Sequence, residues 1–174
     1  MSFLQAIQVT VELLTNNEDD LAAVQAIDEA SFPPTTRMDV REELARSYAR
    51  CWIAREQSTT AYSAPVGIIV TWLVADELHV LNVATLPSAR RRGVGRALMD
   101  AAMAFARKNQ VRLLILEVRR GNRPAIRLYK SLGFFVTNLR EGYYTDNNED
   151  ALEMMLEISP DTGAVIDHPD DIPV

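Results

Sequence analysis

A loop rich in arginine and glycine separates a strand pattern from a helix pattern, and it constrains the fold more than any other stretch. Residues 78–84 (LHVLNVA) read as a β-strand that Pro87 ends, and a helical pattern opens at Gly93. Between them lies the run Arg90-Arg91-Arg92-Gly93-Val94-Gly95-Arg96. Glycines let the backbone approach a ligand, and a helix N-terminus beside arginines forms an anion site. The run predicts a phosphate-binding turn; a tight turn with solvated arginines is the alternative from this stretch alone.

Hydrophobic periodicity predicts seven strands and four helices. The strands fall at residues 8–14, 51–55, 66–74, 78–84, 113–118, 135–140 and 151–158, and the helices at 17–30, 39–48, 93–108 and 122–131. Asn16 or Asn17 and Asp39 are expected to cap the first two helices, and Gly133 to end the last one. The order predicts an α/β protein of the α+β, mixed-sheet kind, with the sheet covered by helices.

The length of 174 residues suits one domain, which we expect over residues 1–158. Residues 159–174 carry three prolines and four aspartates, so this acidic tail is expected to be flexible. The net charge of −6 argues against nucleic-acid binding. The sequence shows neither a membrane-spanning run nor a signal-peptide pattern, so we expect a cytoplasmic protein without membrane contact.

Cysteine and histidine are too sparse for a metal centre. The chain has one cysteine, Cys51, and two distant histidines, His79 and His168, so zinc-ligand spacing is absent and no metal is expected. Cys51 lies in the apolar run CWIA and is interpreted as a small buried hydrophobe rather than a nucleophile.

Glu117 lies inside the apolar strand LLILEVR, on the same face as Leu113 and Ile115. A carboxylate in a core strand is usually paired or functional. Desolvation disfavours the charged form of a carboxylate, which suits a general base near neutral pH. The alternative is a buried ion pair with one of the many arginines, and the residues alone do not decide between the two.

The run LEVRRGNRPAIRLYKSLGF, at residues 116–134, makes a family resemblance specific. Together with Arg90, Gly93 and Gly95, which fit the pattern Q/R-x-x-G-x-G/A, it resembles the GNAT acetyltransferases, and most of all the RimI-type ribosomal-protein alanine acetyltransferases. The motif residues that match are Glu117, Asn122, Ala125, Ile126, Tyr129, Gly133 and Phe134, then Arg140, Tyr143 and Tyr144, then Glu149, Asp150 and Ala151. The resemblance covers residues 78–158, about half of the chain. It implies the GNAT fold, a mostly antiparallel sheet of about seven strands splayed at a cofactor cleft and flanked by about four helices.

The resemblance also implies roles for individual residues. Glu117 would be the general base for the substrate amine, directly or through water, and Tyr129 the general acid for the coenzyme A thiolate. Acetyl-coenzyme A would be the cosubstrate, its pantetheine arm and pyrophosphate bound by Val83, Ala84, Thr85, Arg90, Arg91, Arg92, Gly93, Val94, Gly95, Arg96 and Asn122. Tyr143 and Tyr144, in a loop between the last two strands, would bind the acceptor backbone, with Phe32 and Pro33 in the facing wall. The tryptophan common after that proline in the family is missing here, which leaves acceptor identity open.

Three functions follow as alternatives. The first is acetyl transfer to a protein N-terminus, which the Arg140…Tyr143-Tyr144 run favours. The second is acetyl transfer to a small amine such as a polyamine, amino acid or aminoglycoside. The third is a non-catalytic acyl-coenzyme A-binding module, against which the presence of both Glu117 and Tyr129 argues. The expected partners are a protein N-terminus, such as that of a ribosomal protein, or a small amine, and the protein is expected to be a monomer or a homodimer.

Overall fold

A computed structural model describes residues 8–57 and 63–168. In these ranges the chain forms eight strands and four α-helices. They are β1 (Val9–Leu13), α1 (Glu18–Ser31), α2 (Val40–Leu44), β2 (Ala49–Glu56), β3 (Ala64–Val74), β4 (Glu77–Thr85), α3 (Val94–Lys108), β5 (Leu113–Arg119), α4 (Arg123–Ser131), β6 (Phe135–Tyr144), β7 (Glu149–Ile158) and β8 (Val165–Ile166). The predicted α/β mixed-sheet class is confirmed, and the two-residue strand β8 comes in addition.

The strands form one sheet in the order β1-β2-β3-β4-β5-β7-β6, with β8 paired to β7. β4 and β5 are parallel because helix α3 carries the chain back between them, whereas β1–β2, β2–β3, β5–β7 and β6–β7 are antiparallel. The parallel pairing joins Glu77–Val80 to Leu113–Leu116, while β4 continues to Thr85 and β5 to Arg119.

One compact unit consists of the described residues up to Trp72 together with Leu81–Ala104. Its core is a cluster of apolar side chains from α1, α2, the strands β2, β3 and β4, and the residue that follows β1. The cluster comprises Leu14, Val24, Ile27, Val40, Cys51, Ile53, Ile68, Val70 and Ala84. Asn17 and Asp39 cap α1 and α2 as predicted, since the side chain of each accepts backbone N–H groups from the first turn.

The second unit consists of Leu73–Val80 and the described residues from Phe105 onward. Alternate residues of β5 and β7 are buried, so each strand has one apolar face and one half-exposed face. Asn122 caps α4, and Gly133 follows the helix with a φ of +99°, as expected of a C-terminal glycine.

Three predicted boundaries are wrong. The second helix was expected to reach Tyr48 but ends at Leu44, because Tyr48 packs edge-on against Trp72 at 5.5 Å instead of continuing a helical stripe. Pro65 was expected in the connection after β2 but lies in β3, opposite a register shift between Ala54 and Arg55 that accommodates its missing N–H. The loop predicted to contain Tyr143 and Tyr144 is in fact the end of β6.

Beyond Ile158 the chain turns and forms β8, which pairs with the end of β7. The flexibility predicted for the tail and the domain boundary before it stay predictions, and residues 169–174 lie outside the described residues. Within the described ranges, none of the helices has the length and apolarity needed to cross a membrane.

Candidate active site

The arginine–glycine loop follows β4 after a 3-10 turn at Pro87–Ala89 and leads into α3. Arg91 has a φ of +63° and Gly93 a φ of +92°. A Cβ added at Gly93 would meet nothing within 4 Å, so the glycine is required by the backbone conformation and not by crowding. The left-handed turns bring the chain to the N-terminus of α3, where the first N–H groups of a helix lack intrahelical acceptors.

Within the described residues, Arg90 and Arg92 of this loop each have one side-chain hydrogen bond. Arg90 donates Nε–H to the Thr85 carbonyl at 3.3 Å, and Arg92 donates to one Glu56 oxygen at 3.0 Å. Arg96 Nε lies 3.9 Å from an Asp100 oxygen. The Arg90 and Arg92 guanidinium groups therefore keep donors for an additional anion. The pyrophosphate site stays a prediction.

Gly67 is a residue that the sequence analysis missed. A Cβ there would lie 2.7 Å from Val94 Cγ1 and 2.9 Å from the Ala84 carbonyl oxygen. The side chain of Val94, in the first turn of α3, thus lies directly against the backbone of β3, and a larger residue than glycine would not fit there. A glycine inside a strand pattern was the available signal, since it often marks such a close approach.

Val83, Ala84 and Thr85 form the end of β4. Val83 and Thr85 are half-buried on the same face as the exposed Leu81, while Ala84 is buried on the opposite face. This arrangement leaves their expected role towards a pantetheine arm as a prediction.

A buried polar group on the other face of β4 contacts the end of α1. Asn82 Nδ2 donates to Asp28 Oδ1 at 3.0 Å, and Asp28 is 1% exposed. Asp28 Oδ2, Asn82 Oδ1 and Ser31 Oγ are buried and have no hydrogen-bond partner in the part of the chain that the structure describes. Desolvation raises the pKa of Asp28, although the Met38 backbone N–H and Asn82 oppose the shift.

Phe32 and Pro33 come directly after α1. Phe32 packs against the core of its unit, and Arg37 donates to the carbonyls of Phe32 and Glu29, at 3.1 Å each. These bonds fix the path of the segment, whose role as an acceptor wall stays a prediction.

Glu117 lies on the half-exposed face of β5, not in the core. Its side chain is 30% exposed, and its Oε1 accepts a hydrogen bond from Arg140 Nη1 at 2.8 Å. Glu153 of β7 is its register partner. The expected core position is therefore wrong, because the two faces of β5 differ and Glu117 follows the half-exposed one. Glu117 does form an ion pair with an arginine, which was the alternative prediction. A role of Glu117 as a base is compatible with this ion pair.

Tyr143 and Tyr144 extend β6 because Gly142 adopts a φ of +58° and donates its N–H to Asp150 Oδ1 at 3.0 Å, which lets the strand resume pairing after a register shift. The two rings meet edge-on at 5.2 Å. The Arg140 guanidinium lies over the Tyr143 ring at 4.3 Å.

Arg119 contacts Tyr144 and the hairpin between β6 and β7. Its guanidinium lies 3.9 Å from the Tyr144 ring centroid and bonds Asp146 at 2.9 Å and Glu149 at 3.2 Å. Burial raises the pKa of Tyr144 to about 12, and Arg119 opposes that rise. Glu149 also accepts the Gly121 N–H at 2.8 Å. The hairpin is thereby joined to the loop before α4.

Tyr129 is 7% exposed and packs against Phe134 with a centroid distance of 5.8 Å. Burial raises the pKa of its phenol, and the nearby Tyr144 raises it further. The Asn122 side chain accepts the Ala125 N–H at 3.3 Å as the cap of α4. Within this unit a hydrogen bond and ring contacts connect Glu117, Arg140, Tyr143 and Tyr144 in one network. The role expected of Tyr129 stays a prediction.

Comparison with known proteins gives consistent matches. The sequence model of the acetyltransferase (GNAT) family matches residues 20–134. A Bacillus subtilis (strain 168) protein with a provisional assignment as ribosomal protein bS18 alanine N-acetyltransferase is 34% identical over 143 residues, 81% of this chain and 91% of that protein. The ribosomal protein bS18 alanine N-acetyltransferase of Escherichia coli (strain K12) is 45% identical over 92 residues, 52% of this chain and 62% of the relative.

A solved structure matches over nearly the whole chain. The crystal structure of the ribosomal-protein-S18-alanine N-acetyltransferase from Escherichia coli superposes with a TM-score of 0.72 at 28% identity. The match covers 96% of this chain and 99% of that one.

Proposed function

The chain belongs to the GNAT family of acetyltransferases, and we propose that it transfers the acetyl group of acetyl-coenzyme A to the N-terminal α-amino group of a protein. A ribosomal protein is the acceptor that the relatives favour. The observation that carries the proposal is the similarity over 81% of the chain to the Bacillus subtilis relative, together with the Escherichia coli enzyme that is named for this reaction.

The geometry of the second unit supports the acceptor half of the reaction. Glu117 offers a partly exposed carboxylate, and its Oε2 is free of the Arg140 bond that engages Oε1. An acceptor ammonium at Oε2 would lose a proton to Glu117, directly or through water, and become nucleophilic. Tyr143, which is 40% exposed, and Tyr144 stand on β6 as a surface for the peptide backbone of the acceptor.

Direct attack balances without a covalent enzyme intermediate. The neutral amine forms a bond to the acetyl carbonyl carbon, the carbon–sulfur bond breaks, and the thiolate of coenzyme A leaves. The nitrogen then releases its second proton, which the thiolate takes up directly or through water, so that an amide and a thiol are the products. The only cysteine, Cys51, is buried, and burial raises the pKa of its thiol to about 12, so it is no nucleophile.

Tyr129 supports the leaving group in this proposal. Because burial raises the pKa of its phenol above the ordinary value, full transfer of its proton to a thiolate, whose thiol has a pKa of about 8.5, is uphill. We therefore assign Tyr129 the role of a hydrogen-bond donor to the departing sulfur, a narrower role than the general acid expected from the resemblance.

The loop from Arg90 to Arg96 and the N-terminus of α3 would hold the pyrophosphate of the cosubstrate. Its guanidinium groups supply positive charge, and the turn at Gly93 turns the backbone towards the helix start. Val83–Thr85 and Asn122 are the proposed contacts of the pantetheine arm; the Asn122 amide N–H₂ remains for this purpose while its oxygen caps α4.

The test measures coenzyme A release from acetyl-coenzyme A with two sets of acceptors. One set holds short peptides with free N-termini and the same peptides with blocked N-termini, and the other holds polyamines, amino acids and aminoglycosides. Turnover of free but not blocked peptides is the expected result. Turnover of small amines alone would contradict the proposed acceptor. The segment after Phe32 would then be the first place to look for residues that determine acceptor specificity.

A further inference from the structure

Arg140 stands between the proposed base and the exposed tyrosine. Its Nη1 donates to Glu117 Oε1 at 2.8 Å, and its guanidinium carbon lies 4.3 Å from the Tyr143 ring centroid. A planar guanidinium pairs with a carboxylate along its edge while its face stacks on an aromatic ring. The position of the group is thus fixed from two sides, and through it the position of the Glu117 carboxylate.

The surroundings of Glu117 contain other charges that would move this carboxylate if Arg140 were absent. Glu153 lies opposite Glu117 in the register of β5 and β7, and like charges in such a pair repel. Arg119, two residues along β5, is held by Asp146, Glu149 and the ring of Tyr144. Arg140 is therefore the cation that bonds Glu117 and offsets the repulsion by Glu153.

We propose that Arg140 is a positioning residue, which holds Oε1 of Glu117 so that Oε2 is presented to the acceptor amine, and that Tyr143 in turn holds Arg140. The proposal rests on the proposed function, because it takes Glu117 as the base. A base displaced by about 1 Å loses on the order of 10²-fold in rate. The contribution of Arg140 therefore falls on kcat and not on the KM of acetyl-coenzyme A.

Arg140→Ala tests the role, with Arg112→Ala as the matched control. Arg112 also forms an ion pair, with Asp76 at 3.1 Å, and its loss removes the same charge. We expect Arg140→Ala to lower kcat by about 10- to 100-fold, with the KM of acetyl-coenzyme A unchanged. Added guanidinium ion should restore part of kcat in this variant, and Arg112→Ala should keep wild-type kcat.

Arg140→Lys keeps the charge but not the planar stacking group, so its kcat is expected between those of wild type and Arg140→Ala. It also serves if the alanine variant does not fold. The proposal is overturned by unchanged kcat in Arg140→Ala, or by a loss that guanidinium does not restore and that follows a lower melting temperature.

Side-chain NMR of labelled arginines separates this proposal from the proposed function. We expect hindered rotation of the Arg140 guanidinium in the wild type, free rotation in Glu117→Gln, and hindered rotation in Glu153→Gln. Free rotation in the wild type would overturn the positioning role whatever the acceptor is. Hindered rotation without turnover of N-terminal peptides would instead contradict the proposed acceptor, and the kcat series would then use the small amine that reacts.

Discussion

Two arginine-rich regions of the molecule use the same side chain in opposite ways. In the loop before α3, Arg90 reaches a carbonyl oxygen and Arg92 a single carboxylate oxygen. In the β5–β6 cluster, Arg119 and Arg140 each pair with carboxylates while a tyrosine ring covers the guanidinium. Arg90 and Arg92 keep donors for an anion from outside, whereas Arg119 and Arg140 combine a carboxylate partner with a tyrosine ring over the guanidinium.

The difference indicates that some arginines are suited to binding a ligand and others to positioning a side chain of the protein. A guanidinium with spare donors gains energy from an arriving phosphate. A guanidinium that is paired and stacked gains little from a new anion, but it fixes its partner carboxylate in place. We expect substitutions in the loop to act on the KM of acetyl-coenzyme A, and substitutions in the cluster to act on kcat.

The largest expected effect comes from the base. Glu117→Gln keeps the shape of the side chain but removes the proton acceptor, and kcat should fall by about 10²- to 10³-fold. Steady-state coenzyme A release measures the change. Glu153→Gln, at the register partner of Glu117, is the control and should lose far less. Equal losses in both variants would show that the effect is one of charge on the sheet and not of a base.

Gly93→Ala tests the loop. The substitution meets no steric obstacle, but a φ of +92° is strained for alanine by about 1–2 kcal/mol. We expect the KM of acetyl-coenzyme A to rise by up to about 30-fold with kcat nearly kept. Isothermal titration with coenzyme A checks the affinity directly. A fall in kcat with unchanged affinity would break the proposed division between the two regions.

Glu56→Gln tests the same loop with a change that is expected to strengthen the binding of coenzyme A. The change removes the carboxylate that holds Arg92 at 3.0 Å and leaves this guanidinium to the cosubstrate. We expect coenzyme A to bind about 2- to 5-fold more tightly, as for one surface charge interaction. Asp76→Asn removes a charge elsewhere and should leave the affinity alone. Weaker binding in Glu56→Gln would mean that the ion pair shapes the loop.

The hairpin of the cluster should loosen in acid. The Gly121 N–H, Asn147 and Arg119 hold the pKa of Glu149 below its usual value. A lowered pKa contributes stability that is present above the ordinary value, near 4.5, and is lost as the pH falls through the folded value. Amide exchange of β6 and β7 at decreasing pH measures it. In Glu149→Gln the acid-dependent component should be smaller, at a cost of about 1 kcal/mol at neutral pH.

Asp28 should show the opposite sign. Desolvation raises its pKa, so its contribution to stability is present below the ordinary value, near 3.8, and is lost as the pH rises through the folded value. Asp28→Asn keeps the shape and removes this component, so the variant should gain stability relative to wild type between acid and neutral pH. Urea unfolding at several pH values checks the sign, and a constant difference between the two proteins would contradict it.

Patterns of apolar residues and caps predicted most of the fold. Asn17, Asp39 and Gly133 act locally, and local signals of this kind are readable from sequence. The end of α2 was not readable from sequence, because Tyr48 contacts Trp72, a residue far along the chain, instead of continuing the helix. The extension of β6 depends on a hydrogen bond between Gly142 and Asp150, which only the folded hairpin provides.

The candidate site was predictable in its residue types and less so in their surroundings. The glycine spacing of the loop and the position of Glu117 on one face of β5 follow from sequence. The half-exposure of this face depends on which elements cover the sheet. The pairing of Arg140 with Glu117 depends on the register of β5, β6 and β7. Gly67 carried a signal, an isolated glycine in a strand, whose contact with α3 is non-local.

The burial of Cys51 has a practical consequence for spectroscopy. The thiol is 2% exposed and burial raises its pKa to about 12, so thiol reagents at neutral pH should leave it unmodified in the folded protein. A cysteine introduced on the hairpin or beside the arginine loop would then be the single reactive one. The native sequence thus serves as its own background for attaching a fluorophore or spin label, with no need to remove a core side chain first.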